Sequence, residues 1–176
     1  DMATLRIPDK NVTLRDPSAI QQFLDARGIL YERWSAGNDL PSAATNEQVL
    51  AAYDHLLKPL MEKGGYQTAD VISVDKHTTN LEGIREKFIR EHTHSEDEVR
   101  VFVEGQGYFW FHKEEREDEV FALLCEQGDL ISVPADTKHW FDLGNPPKVC
   151  AIRLFTDQTG WVPHYTNSGI DQRYHW

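Results

Sequence analysis

The densest run of metal-binding and charged side chains is Glu91-His92-Thr93-His94-Ser95-Glu96-Asp97-Glu98-Val99-Arg100. His92 and His94 lie two apart, so in extended backbone both imidazoles point to one face. Glu98 follows four residues later, after a turn, and its carboxylate can return to the same point. Two neutral imidazoles and a hard carboxylate suit Fe, Ni, Mn, Co or Zn. On its own the segment also fits two solvent-facing histidines beside a charged turn. His139 supplies a fourth donor. It follows a second turn, Pro134-Ala135-Asp136-Thr137-Lys138, and begins an apolar strand that a barrel can bring opposite the first three.

Neighbouring residues suggest supporting roles. Arg100 is two positions beyond Glu98 and faces the same interior on a regular strand. A buried guanidinium there would orient an anionic ligand. Asp97 or Glu96 could accept a proton from a ligand histidine; the alternative is a pair of solvated turn carboxylates. Phe102, Phe109, Phe141 and Trp161 could wall a substrate pocket against water, or simply be core. His112 ends a strand before a charged loop and reads as structural. His55, His77, His164 and His175 have no partners evident in sequence.

The elements that must position these residues fall into two styles. Asp16-Pro17 reads as an N-cap with proline at the first helical turn, and Ile20, Phe23 and Leu24 mark that helix's apolar face. Gly28 stops it. Ile29 to Trp34 fits a short strand, and residues 35–44 a polar loop. Thr45 with Gln48 matches a capping box. The stripe Val49, Tyr53, Leu56, Leu57 and Leu60 then predicts a helix that kinks or ends near Lys58, because Pro59 follows. Val71 to Val74 reads as a strand, and Leu81 to Arg90 as a third helix burying Leu81, Ile84, Phe88 and Ile89.

From Val99 the pattern is of short strands: Val99–Glu104, Tyr108–His112, Val120–Glu126, Leu130–Val133, His139–Leu143 and Val149–Phe155. Turns are expected at Gly105-Gln106-Gly107, Gln127-Gly128-Asp129 and Gly144-Asn145-Pro146-Pro147. Such a series predicts an antiparallel sandwich or barrel. We expect a mainly β single domain spanning 1–176. It comprises a helical preface over about 1–90 packed outside, a barrel core over about 91–156, and a tail over 157–176 that lies back across the barrel.

The first motif resembles the cupin pattern of two histidines, a glutamate and a glycine, here His92, His94, Glu98 and Gly105. The second cupin pattern is met by Gly128, Pro134 and His139, with Asp136 where a glycine is usual and Leu143 where an asparagine is usual. The longer string EHTHSEDEVRVFVEGQGYFWFH, with DLISVPADTKHWFD and AIRLF, resembles the acireductone dioxygenase family over nearly the whole chain. The resemblance implies a cupin barrel of the jelly-roll, or double-stranded β-helix, type with His92, His94, Glu98 and His139 as ligands to one Fe(II) or Ni(II). It implies cleavage of 1,2-dihydroxy-3-keto-5-methylthiopentene by O2 in methionine salvage. With iron the products would be 4-methylthio-2-oxobutanoate and formate. With nickel they would be 3-methylthiopropanoate, formate and carbon monoxide. It also implies that Arg100 acts on the anionic substrate. The competing readings are another cupin oxygenase, a cupin sugar isomerase or epimerase, and a non-catalytic metal- or sugar-binding cupin.

Bulk properties narrow the partners. The 176 residues are 40% hydrophobic and 27% charged, and the net charge of -11 repels phosphate backbones, so nucleic acid is not an expected partner. No early stretch reads as a signal peptide, and no run is apolar enough to span a bilayer. Cys125 and Cys150 sit in apolar contexts and are expected as buried free thiols. The expectation is a cytoplasmic monomer acting on a small molecule and O2, with no membrane partner.

Overall fold

A computed structural model describes residues 3–34, 40, 44–157 and 162–176. Two antiparallel sheets share one long strand, β6 (Glu98–Lys113). The first half of β6 lies between β10 (Lys148–Phe155) and β8 (Asp129–Val133), with β4 (Thr68–Asp75) and β3 (Leu30–Arg33) outside them. Its second half lies between β7 (Glu119–Glu126) and β9 (Lys138–Asp142). Beyond β7 come β1 (Thr4–Ile7) and β2 (Val12–Leu14). Beyond β9 come β5 (His92–Thr93) and β11 (His164–Tyr165).

The expected turn at Gly105-Gln106-Gly107 is therefore a bend inside β6. Opposite β10 the register slips between Cys150 and Ala151, leaving Val103 as the extra residue of a bulge. Gly105 has φ of +71°, and a Cβ there would lie 2.0 Å from the Lys148 carbonyl oxygen. At Gly107 a Cβ would lie 2.1 Å from the Phe141 ring. The two glycines mark a sheet corner approached closely by other atoms, which in sequence looks the same as a turn. The irregularity also resets the alternation of β6. Arg100 and Phe102 share the interior with Phe109 and Phe111, whereas Val99, Val101 and Val103 join the outer cluster.

The helices cover what the sheets leave apolar. Asp16 caps α1 (Pro17–Asp25) by accepting from the Ala19 N–H, and α1 sends Ile20 and Leu24 into the central core. Helix α2 (Asn46–Gly64) carries the anticipated capping box and buries Val49, Tyr53 and Leu57 against the outer face of the β10–β6–β8 sheet. It runs through Pro59 instead of stopping at Lys58. Pro59 and His55 lie on its exposed side, where water can take the carbonyl the proline leaves free. Helix α3 (Leu81–Ile89) is half-buried, with Leu81, Ile84 and Phe88 on the central core and Ile89 on the outer cluster of Trp110 and Trp140. The tail lies on that outer cluster too: Tyr174 packs on Trp110 and Trp176 on Tyr108.

The hairpin β1–β2 precedes the first element that the sequence pattern marks. Most of the 35–44 loop, and Trp161, fall outside the described residues. Cys125 and Cys150 are buried free thiols in different clusters, so the sheet separates them. No helix among the described residues is long and apolar enough to cross a membrane.

The corner at Gly105 gives a stability test. Gly105→Ala should cost about 2–4 kcal/mol, from left-handed strain plus backbone overlap with Lys148. Gly65→Ala, with φ of +70° but nothing within 4 Å of the added Cβ, should cost only about 1 kcal/mol. Urea unfolding of the two variants checks the difference.

Candidate metal centre

Two strands deliver the histidines. His92 on β5 pairs in register with His139 on β9, and His94 follows just beyond β5. The turn after His94 is tied to the turn before β9 by two bonds. The Asp136 N–H donates to the His94 carbonyl at 2.9 Å, and the Ala135 N–H donates to Asp97 Oδ1 at 2.7 Å. The three imidazoles thus meet at one end of the barrel. Each offers a nitrogen within 4.8 Å of the others, and the ring centroids are 4.5–5.1 Å apart.

The ring tautomers are set by backbone carbonyls. His92 Nδ1 lies 2.7 Å from the Arg90 carbonyl, and His139 Nδ1 lies 2.8 Å from the Thr137 carbonyl. A carbonyl only accepts, so each Nδ1 carries the proton and each Nε2 keeps its lone pair. Burial makes protonation of the rings costly. It brings His92 down to about 4, lowers His94 and holds His139 well below the usual histidine range. At neutral pH all three are neutral donors.

Glu98 has no exposed surface. Its Oε2 accepts from Arg100 Nε at 2.9 Å and Nη2 at 2.7 Å. Its Oε1 lies 3.3 Å from His94 Nε2. Burial alone would raise this carboxyl, but Arg100, His94 and Arg153 outweigh it and bring Glu98 down to about 2. The buried atoms left without a hydrogen-bond partner include Glu98 Oε1, His139 Nε2 and His94 Nδ1. Unpaired buried donors and acceptors are costly. Metal–ligand bonds of about 2.0–2.2 Å place neighbouring donor atoms roughly 3 Å apart. The spacing of Glu98 and His94 fits two donors to one ion, so the residues present suit a divalent metal.

The other predicted residues divide. Arg100 is buried on the interior side, as its strand spacing implied. It salt-bridges Glu98 and lies 4.9 Å from the ring centres of both Phe109 and Phe141. Phe141 lines a small cavity leading to the histidines. Phe102 and Phe109 stand behind it, fully buried and packed on its ring. Asp97 is exposed, and its carboxylate binds the Ala135 backbone rather than a histidine. Glu96 accepts from the Thr156 hydroxyl at 2.6 Å. Both acids sit on a turn, so their side chains tie down loops.

Sequence reading missed several contributors. Phe88, Lys87, Arg153 and Pro163 complete the cavity wall. Phe88 has helical spacing and was read as core. Arg153 had a visible signal, a charged residue in the middle of the apolar strand AIRLF. Glu91 was not singled out beside the histidines. It is 2% exposed and accepts from the hydroxyls of Thr166 at 2.6 Å and Ser168 at 2.8 Å, with His112 Nδ1 at 2.8 Å. It fixes the tail next to His92, and Tyr165 packs 5.8 Å from the His92 ring. His112 keeps its structural role. It comes near Glu114 and Asp118, but its two nitrogens already face Glu91 and Asp118.

Comparison with known proteins agrees with this geometry. The model of the ARD/ARD' family matches residues 8–163. The chain is 50% identical to the acireductone dioxygenase of Picosynechococcus sp. over 98% of this chain and 97% of that one. It is 51% identical to the enzyme of Klebsiella oxytoca over 88% of this chain and 84% of that one. Among solved structures, acireductone dioxygenase from Bacillus anthracis with a cadmium ion in its active centre superposes with a TM-score of 0.85. That match is at 34% identity and covers 93% of this chain and 98% of that one. The shared-strand β architecture is thus a cupin barrel, and the chain belongs to the acireductone dioxygenase (ARD/ARD') family.

Proposed function

We propose that this chain is a metal-dependent dioxygenase that cleaves 1,2-dihydroxy-3-keto-5-methylthiopentene with O2, with His92, His94, Glu98 and His139 as the metal ligands. The carrying observation is three neutral buried imidazoles with nitrogens within 4.8 Å of one another, one of which, His94, lies 3.3 Å from a Glu98 oxygen that has no hydrogen-bond partner. Family membership supports the substrate. A divalent ion held there would supply Lewis-acid polarisation and a template for two oxygens of the enediolate.

The chain's own residues do the rest. Arg100 holds Glu98 ionised and leaves its free oxygen facing His94. It also contributes to the cavity wall, where its charge opposes an anionic substrate's departure. Phe141 and Phe88 present apolar surface suited to a methylthio tail and limit the entry of water. We further read the enzyme as a cytoplasmic monomer. The two unpaired thiols agree with a reducing compartment. Among the described residues, exposed large hydrophobics are confined to Val12, Leu30 and Val162.

His94→Ala and Glu98→Gln should each lose most bound metal and nearly all turnover. Metal analysis beside an O2-uptake assay checks this, and full metal content with full turnover would refute the ligand set.

Arg100→Leu should lower metal content as well as activity, because it strands a buried carboxylate without its partner. Turnover should fall about tenfold to a thousandfold. Lysine should restore it only in part, since it lacks the planar fork. Steady-state rates normalised to bound metal separate the two effects.

One sample stripped of metal, divided and reloaded with Fe(II) or Ni(II) should consume substrate and O2 in both halves. The nickel half should release carbon monoxide with formate and 3-methylthiopropanoate. The iron half should give 4-methylthio-2-oxobutanoate and formate. Identical products from verified single-metal samples would refute metal-directed chemistry in this chain.

A further inference from the structure

Three cationic residues contribute to the wall of the cavity that leads to the histidines: Lys87, Arg100 and Arg153. Two are ion-paired with carboxylate neighbours. Arg100 is paired with Glu98, and Arg153 makes two bonds to Asp70 at 2.9 and 2.6 Å. Lys87 is exposed and forms no ion pair with a described residue. Its position is nevertheless fixed. It lies in the last turn of α3, and its backbone carbonyl accepts from the Tyr165 hydroxyl at 3.0 Å, which joins the helix end to β11. Phe88, the next residue, packs its ring 6.5 Å from that of Phe141 on the same wall.

This local charge runs against the rest of the molecule, whose net charge is -11. An approaching anion is repelled by most of the surface. At this opening it meets an ammonium group that has no ion-pair partner among the described residues. We infer that Lys87 is a capture residue, which draws the anionic acireductone to the cavity and orients its entry past Phe88. The role assigned to Lys87 is in binding and involves no bond breaking. The inference rests on the acireductone reading for the charge of the substrate. Attraction of this kind acts on association and is screened by salt, with a Debye length of about 10 Å at 0.1 M.

The experiment is steady-state kinetics with acireductone from low to high ionic strength, using metal-loaded wild type, Lys87→Ala, Lys87→Arg and Lys87→Glu. Metal content and circular dichroism are matched first. At low salt Lys87→Ala should lower kcat/KM about threefold to tenfold, Lys87→Glu should lower it further, and Lys87→Arg should keep it near wild type. The loss should lie in KM with kcat unchanged, and the differences should shrink as salt rises. A Lys87→Glu enzyme with wild-type kcat/KM at low salt would overturn the inference while leaving the functional reading intact. So would a loss carried by kcat and insensitive to salt. Absence of turnover by the wild type itself would overturn the functional reading, and the role of Lys87 with it.

Discussion

A carboxylate with no solvent-exposed surface must have a partner, and much of this structure can be read as the means of giving Glu98 one. Isolated burial of such a charge costs several kcal/mol even after relaxation, and neutralisation by a proton is the usual escape. Arg100 closes that escape by binding Oε2 with two nitrogens, and the carboxyl stays ionised. The guanidinium must then be buried as well. It is accommodated against the faces of Phe109 and Phe141, where the ring quadrupoles favour a cation. The pair leaves one oxygen, Oε1, facing His94 without a hydrogen bond. The Glu98–Arg100 pair is neutral in charge, but it leaves one carboxylate oxygen without a partner of its own.

Holding this pair at the end of a barrel sets requirements on the backbone. Glu98 and Arg100 lie on the half of β6 that pairs with β10 and β8, whereas the phenylalanine that packs on Arg100 and the strand that bears His139 belong to the other half. One continuous strand must serve both sheets. The bulge at Val103 and the bend at Gly105 to Gly107 make that possible, and they shift the inward-facing parity between Phe102 and Phe109. Substituting either glycine would push a Cβ into Lys148 or Phe141. The corner is therefore coupled to the site through Phe141, which touches both.

The four candidate ligands were picked out by spacing together with the family resemblance, and strand alternation accounts for the interior face that Arg100 takes. Element types were legible where local chemistry dominates, as with the Asp16 and Thr45 caps. What failed has a common cause. At Gly105 the distinction between a turn and a bend depends on Lys148, over forty residues away. At Pro59 the helix continues because that face is solvated, which is a fact of tertiary placement. Asp97 looked like a partner for a histidine by proximity in sequence. Its carboxylate instead meets a backbone N–H brought in by the loop before β9. Phe88 and Phe102 are alike in composition terms, and only packing decides that one reaches the cavity wall while the other backs it.

The tail contributes to order in the site. β5 is two residues long, and its pairing with β9 is confined to His92 and His139. So short a segment has little stability of its own, since each backbone position fixed costs about 1–2 kcal/mol. Its other edge is taken by β11, and Glu91 binds Thr166 and Ser168 beyond it. Asp171 further accepts from the Glu91 N–H. These contacts bridge more than seventy residues of chain. His92 is thus held on one side by the barrel and on the other by a segment outside it. The site depends on the tail for the placement of one of its donors, though the described part of the tail supplies no donor to the histidine cluster.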